Sequence, residues 1–228
     1  MTSLRNEGNV LVRLYLDLET YRPRKEGSFV EERLISSGLL IDETPYQEDS
    51  LKESIDPILI SEWNGLNECE IVRQVHDQVK QAMMSHKFTV ICGFNILRFD
   101  IPLLICRCVQ YQLSTHDMVA KMWNDCFTID YFQQLLVANK NFFKGLTLEK
   151  IVEVSKKIGL KPPAYSTTNG SGVKEAFDQG KHKEIEKHLK QDLLIVRWLD
   201  LYGAKRLIET SVREGEALFQ EEKRFLKE

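Results

Sequence analysis

The chain reads as an α/β domain in which a mixed, roughly five-stranded sheet is flanked by helices. Three observations predict this. Three strand-like apolar runs come before residue 64. From residue 67 onward helical spacing takes over, interrupted only by short β-prone runs. The hydrophobic share of 43% over 228 residues is ample for the core of one large domain.

In chain order, residues 1–9 are polar and read as loose. Val10 to Leu16 is mostly apolar and β-prone, so it predicts a buried strand running to about Asp17. Tyr21 to Glu31 is a charged loop containing Arg22, Pro23, Arg24 and Lys25. Arg33–Asp42 and Pro57–Trp63 read as a second and a third strand, and their closeness to the first suggests an antiparallel meander. Asn67 to His86 carries Ile71, Val75, Val79 and Met83 at helical spacing. Phe88 to Phe94 is a strand closing on a glycine. Asp100 to Gln112 is predicted helical, with Pro102 in its first turn, where a missing N–H is tolerated.

Thr128-Ile129-Asp130 leads into a helical run, Tyr131 to Ala138, for which Asp130 fits an N-cap. Leu146 to Ile158 is a helix that stops before Gly159. Ala164 to Val173 is rich in Ser, Thr, Asn and Gly and reads as a mobile loop. A long helix starts near Lys183, with Gly203 as a candidate break. Leu207, Ile208, Val212, Leu218 and Phe219 continue helical spacing beyond it. No repeat or clear linker divides the chain. The expectation is one domain over residues 1–203 with residues 204–228 as its helical extension.

A formal net charge of −3 removes any overall basic footprint, although local patches decide nucleic-acid binding. One such patch stands out. Between residues 140 and 175 the seven lysines Lys140, Lys144, Lys150, Lys156, Lys157, Lys161 and Lys174 face only Glu149, Glu153 and Glu175. They read either as a phosphate track or as a solvated lysine face. The five cysteines, Cys69, Cys92, Cys106, Cys108 and Cys126, are odd in number and lack zinc spacing. They read as free thiols of a reducing compartment. The N-terminus has no apolar signal core, and no run reaches the roughly 20 apolar residues of a spanning helix. A soluble, cytoplasmic protein with no membrane partner is expected.

The first strand carries two carboxylates at its end, in Leu14-Tyr15-Leu16-Asp17-Leu18-Glu19-Thr20. Residues i and i+2 of a strand point to one face, so Asp17 and Glu19 converge and repel unless a cation holds them. Hard divalent cations take oxygen ligands, which makes the pair half of a candidate metal site. Two acids at a strand end also arise incidentally. In Asn95-Ile96-Leu97-Arg98-Phe99-Asp100, the aspartate opens a helix and fits a cap as well as a ligand. In His188-Leu189-Lys190-Gln191-Asp192, histidine and aspartate are four apart and share a helix face, which can line a pocket or simply meet solvent.

Taken in order, these three stretches resemble the motifs of the DEDD exonuclease superfamily, within the RNase H-like fold. They are closest to the proofreading exonuclease domains of family-B DNA polymerases and their stand-alone relatives. Asp17-Leu18-Glu19-Thr20 matches the first motif, Asn95 through Phe99-Asp100 the second, and the helix ending in Asp192 the third. The resemblance covers about residues 10–203.

It implies a 3′–5′ exonuclease that hydrolyses single-stranded DNA from the 3′ end, with RNA as the alternative substrate. Asp17, Glu19, Asp100 and Asp192 would hold two divalent cations, Mg²⁺ or Mn²⁺. Thr20, Asn95 and Phe99 fall where the superfamily meets the terminal nucleotide. The setting implied is DNA repair or proofreading. The reading from another class is a nucleic-acid-binding module that has lost its chemistry, or a subunit that docks to a polymerase or helicase through residues 204–228.

One position departs from the pattern. The superfamily has either tyrosine four positions before the last aspartate or histidine five before it. This chain has His188 four positions before Asp192. One helical position is a rotation of about 100°, so the registers are not equivalent. His188 is the candidate general base or water-positioning residue.

Overall fold

The computed structural model describes residues 11–22, 31–165 and 172–219. Residues 1–10, Pro23, Arg24 and Lys25 of the predicted charged loop, most of the predicted Ser/Thr-rich loop and the last nine residues lie outside the described residues.

Five strands form one mixed sheet in the order β3-β2-β1-β4-β5. They are β1 (Leu11–Tyr21), β2 (Arg33–Asp42), β3 (Ile58–Ser61), β4 (Phe88–Gly93) and β5 (Phe127–Asp130). The expected meander is there: β1 pairs antiparallel with β2, and β2 with β3. On the other side β4 and β5 run parallel to β1. These parallel strands need crossovers. Helix α1 (Glu68–Ser85) supplies the first, and α2 (Asp100–Gln110) with α3 (His116–Asp125) the second. The α3 helix was not predicted by the hydrophobic spacing. Its polar face is broad, and only Val119 and Trp123 are buried.

Strand β1 is the axis of the molecule because both its faces are covered. Val12, Leu14, Leu16 and Leu18 enter one core with Val72, Val75 and Val79 of α1 and Leu103 and Leu104 of α2. On the opposite face, Tyr15 joins a second core with the remaining helices. Those are α4 (Tyr131–Leu135), α5 (Leu148–Lys157), α7 (His182–Trp198) and α8 (Ala204–Glu214), while α6 (Val173–Asp178) packs near the end of β1. The period of two places Arg13, Tyr15, Asp17 and Glu19 in one row on this second face.

Helix α7 approaches the sheet closely because Gly38 lies opposite Asp17 in the β1–β2 register. A Cβ there would meet Leu193 at 2.7 Å and Leu189 at 2.9 Å. A glycine inside a strand thus lets a helix lie on the backbone. Gly203 does not break the long helix. The chain continues from α7 through a π-helical turn, Leu199–Gly203, into α8. Gly203 is needed because a Cβ would strike the Trp198 ring at 2.3 Å. Beyond α8, Phe219 is buried in the second core and the Leu218 N–H bonds the Ala138 carbonyl. Residues 204–219 therefore pack as part of the same body.

Candidate active site: a buried carboxylate cleft

Three elements deliver four carboxylates to one place. Asp17 and Glu19 come from the end of β1, Asp100 from the first turn of α2, and Asp192 from the middle of α7. Asp17 is half-buried; Glu19, Asp100 and Asp192 are buried. Asp100 is not a cap. Phe99 holds the N-cap position without a side-chain bond, and the Asp100 carboxyl receives backbone hydrogen bonds from its own amide and from Leu18. The Leu18 amide also bonds Asp17, tying β1 to α2.

The loop before α2 is anchored by Asp130. This residue caps α4 as expected, its Oδ1 accepting from the Phe132 N–H at 3.0 Å. It also accepts from the Asn95 N–H at 2.8 Å and the Leu97 N–H at 3.1 Å. Those bonds hold Asn95 in the left-handed region at φ 65°, which asparagine tolerates better than most residues. The buried Asn95 Oδ1 has no hydrogen-bond partner.

The electrostatics follow from burial and like charge. Burial raises the pKa of Asp17 well above the ordinary carboxylate range, and the charges of Asp192, Glu19 and Asp100 raise it further. Glu19 is raised for the same reasons, by burial and then by Asp192 and Asp100. Burial pushes Asp100 and Asp192 each up to about 7. Among the described residues, no lysine or arginine pairs with any of the four. The nearest base is His188, whose Nε2 lies 3.9 Å from Glu19 Oε1 and whose Nδ1 lies 3.6 Å from Asp192 Oδ1. Both distances exceed a hydrogen bond. His188 Nδ1 and Asp192 Oδ1 are buried without partners. Burial lowers the His188 pKa, so the ring is neutral at pH 7.

Asp17, Asn95, His188 and Asp192 line a cleft of about 520 Å³, with Phe94, Phe132 and Tyr165 among its other walls. Ligand sites fall in a range of about 300–1,000 Å³. Tyr165 carries no motif in the sequence. Its hydroxyl hydrogen-bonds Asp192, and its ring stands edge-on to His188 at 6.3 Å. The available signal was a lone aromatic at the edge of a Ser/Thr/Gly-rich stretch. By donor type and uncompensated charge the four carboxylates suit hard divalent cations. Among the described residues no three His, Cys, Asp or Glu side chains already stand ready to hold an ion.

Two expected nucleotide contacts are otherwise engaged. The Thr20 hydroxyl donates to Glu32 Oε2 at 2.7 Å, and Arg22 pairs with the same carboxylate. Phe99 packs, partly buried, against the first core. Part of the lysine-rich stretch is paired locally: Lys150 and Lys157 flank Glu153 at 2.9 and 2.5 Å, and Lys174 reaches Asp178 at 3.1 Å. All five cysteines are free thiols. No helix among the described residues is long and apolar enough to cross a membrane.

Fold and site together define an RNase H-like α/β domain with four carboxylates gathered beside a cleft at the end of its central strand. No protein-family model matches the chain, and no curated protein matches it in sequence. Its fold is shared with part of a family B DNA polymerase from the archaeon Pyrobaculum calidifontis, at 16% identity and a TM-score of 0.53. That likeness covers 92% of this chain and 26% of the polymerase. A solved complex of E. coli Exonuclease I with a dA16 oligonucleotide also matches, at 13% identity and a TM-score of 0.45, over 88% of this chain and 42% of the other.

Proposed function

We propose that this protein is a metal-dependent 3′–5′ exonuclease that hydrolyses phosphodiester bonds at single-stranded ends, with DNA as the expected strand. The observation that carries the reading is the cluster beside the cleft: four carboxylates from three elements, sharing one charge field, with no lysine or arginine partner among the described residues. Such a set is costly as four anions and becomes favourable around cations. Asp17, Glu19, Asp100 and Asp192 would hold Mg²⁺ or Mn²⁺, two ions by analogy with the superfamily that the motifs resemble. When bound, the ions would neutralise phosphate charge and acidify a water.

The chain's own residues supply the remainder. His188, neutral at pH 7, offers a ring nitrogen that can orient a water or take its proton. Tyr165 holds the Asp192 carboxyl in place by its hydrogen bond. Asn95 Oδ1 is an acceptor without a partner on the cleft wall, suited to a donor of the terminal nucleotide. Thr20 and Phe99 are proposed to border that nucleotide.

The test is a degradation assay on 3′- and 5′-labelled single-stranded DNA and RNA with Mg²⁺, Mn²⁺ or EDTA. Stepwise 3′ shortening is expected, lost in EDTA and reduced to background in Asp17→Ala. A protein that binds strands and shortens none under any metal condition is a binding module instead.

A further inference from the structure

The rings lining the cleft do not stop at its rim. Phe94 and Phe132 line the cleft beside Asp17 and Asn95. Phe132 meets Phe94 edge-on at 5.5 Å and stacks on Phe143 at 5.8 Å with an interplanar angle of 29°. Phe143 and its neighbour Phe142 are each 56% exposed. A column of aromatic rings thus leads from the carboxylates to the surface.

Two further features mark this column as more than stray apolar surface. The Arg98 guanidinium lies over Phe143 at 5.2 Å and over Phe132 at 6.0 Å, and it comes from the same loop as Asn95. It makes no ion pair among the described residues, so its charge is open to a phosphate. The turn that presents the two phenylalanines is also held in a strained conformation. Lys140 and Asn141 sit consecutively in the left-handed region, at φ 50° and 63°. Asn139, fully buried, clamps the turn by donating from its side-chain amide to the carbonyls of Phe142 and Lys144. The Asn141 N–H closes onto the Leu136 carbonyl at 2.7 Å. A fold that commits strain and a buried amide to exposing two aromatic rings beside a cleft invites a ligand for them.

We propose that Phe142 and Phe143, with Phe132 and Arg98, form a stacking platform for the bases of the single strand whose 3′ end enters the carboxylate cleft. The platform rests on the exonuclease reading for its occupant. Every nucleobase has a π-face, so aromatic rings hold single strands without regard to sequence, and arginine adds attraction to base and phosphate. Continuity with the cleft favours a nucleic-acid strand over a protein partner for this surface. The exposed Lys140 on the same turn adds positive charge where phosphates would pass.

The experiment is fluorescence anisotropy with 5′-labelled, hydrolysis-resistant phosphorothioate strands of DNA and RNA, two and ten nucleotides long, in Mg²⁺. On whichever ten-mer the wild type binds, Phe142→Ala/Phe143→Ala is expected to raise Kd by about tenfold or more, the scale of lost base–aromatic stacking. The loss on the two-nucleotide strand should be smaller. Phe143→Trp should bind as the wild type does, and Phe143→Leu should not. An unchanged ten-mer Kd overturns the platform, as does equal loss on both lengths. Full binding by Phe143→Leu also overturns it, in favour of a plain apolar contact. A wild type that binds through these rings yet shortens no unmodified strand in the degradation assay overturns the exonuclease reading and leaves the platform standing. One that shortens unmodified strands while the alanine variant keeps wild-type affinity for the resistant ones overturns the platform alone.

Discussion

One face of strand β1 meets two buried acidic clusters, about 13 Å apart along the strand, and they are built on opposite principles. Near its start, Asp42 and Asp200 are matched by arginines. Arg13 lies 3.2 Å from Asp42 and 3.6 Å from Asp200, and Arg197 donates to Asp42 at 2.8 Å. Tyr15 and Tyr131 both donate to Asp200. Burial alone would raise Asp42, but hydrogen bonds from Thr44 and Arg197 and the charge of Arg13 hold it below the ordinary carboxylate range. Near the other end, Asp17, Glu19, Asp100 and Asp192 are pushed upward with no arginine or lysine among the described residues to answer them. The same strand and the same chemistry yield a structural lock at one end and an unfinished site at the other. The functional site is proposed at the cluster whose charge is left uncompensated, because strongly perturbed carboxylates are where function is sought first.

That contrast can be broken at its compensated end first. Arg13→Met should cost about 3–5 kcal/mol, because Asp42 and Asp200 would lose a buried partner. Urea unfolding reads it. Asp100→Asn at the other end should have the opposite sign in metal-free protein at pH 8, raising stability by removing a carboxylate whose charge burial disfavours. If both changes destabilise alike, the two clusters are not different in kind. Gly38→Ala tests how the uncompensated cluster is assembled. Overpacking against Leu193 and Leu189 should cost about 1–3 kcal/mol. By lifting Asp192 away from Asp17, it should also weaken Mn²⁺ binding, read by calorimetry.

The pH dependence sharpens the comparison further. Asp100 and Asp192 sit at about 7 in the folded protein, whereas an unfolded carboxylate titrates near about 4. Between those values the folded site holds protons that the unfolded chain has released. Stability therefore falls as pH rises through the window, by up to about 1.4 kcal/mol per pH unit for each proton held. Metal-free thermal denaturation from pH 5 to 8 checks the slope. Mn²⁺ should raise Tm more at pH 8 than at pH 5.5, since ions compete with those protons. The smallest expected effect is at Thr20. Thr20→Val removes the bond to Glu32 and should cost about 1 kcal/mol in urea unfolding.

What is local along the chain is legible in the order of its residues. The alternation that buries Val12, Leu14 and Leu16 also decides that Asp17 and Glu19 share a face, since a strand has a period of two. Four-residue spacing likewise puts His188 and Asp192 on one side of α7. Asp130 shows its capping role in the same way. Other features depend on neighbours from distant parts of the chain. No local pattern distinguishes Asp100 as a cap from Asp100 as a member of the carboxylate cluster; the Leu18 amide and the absence of a cap bond do that. Gly38 looks like any strand glycine until α7 lies on it, and Tyr165 like any loop residue until its hydroxyl meets Asp192. Sequence period determines which way a side chain faces. Whether a charge is answered is a matter of what packs across from it, and only the tertiary structure decides that.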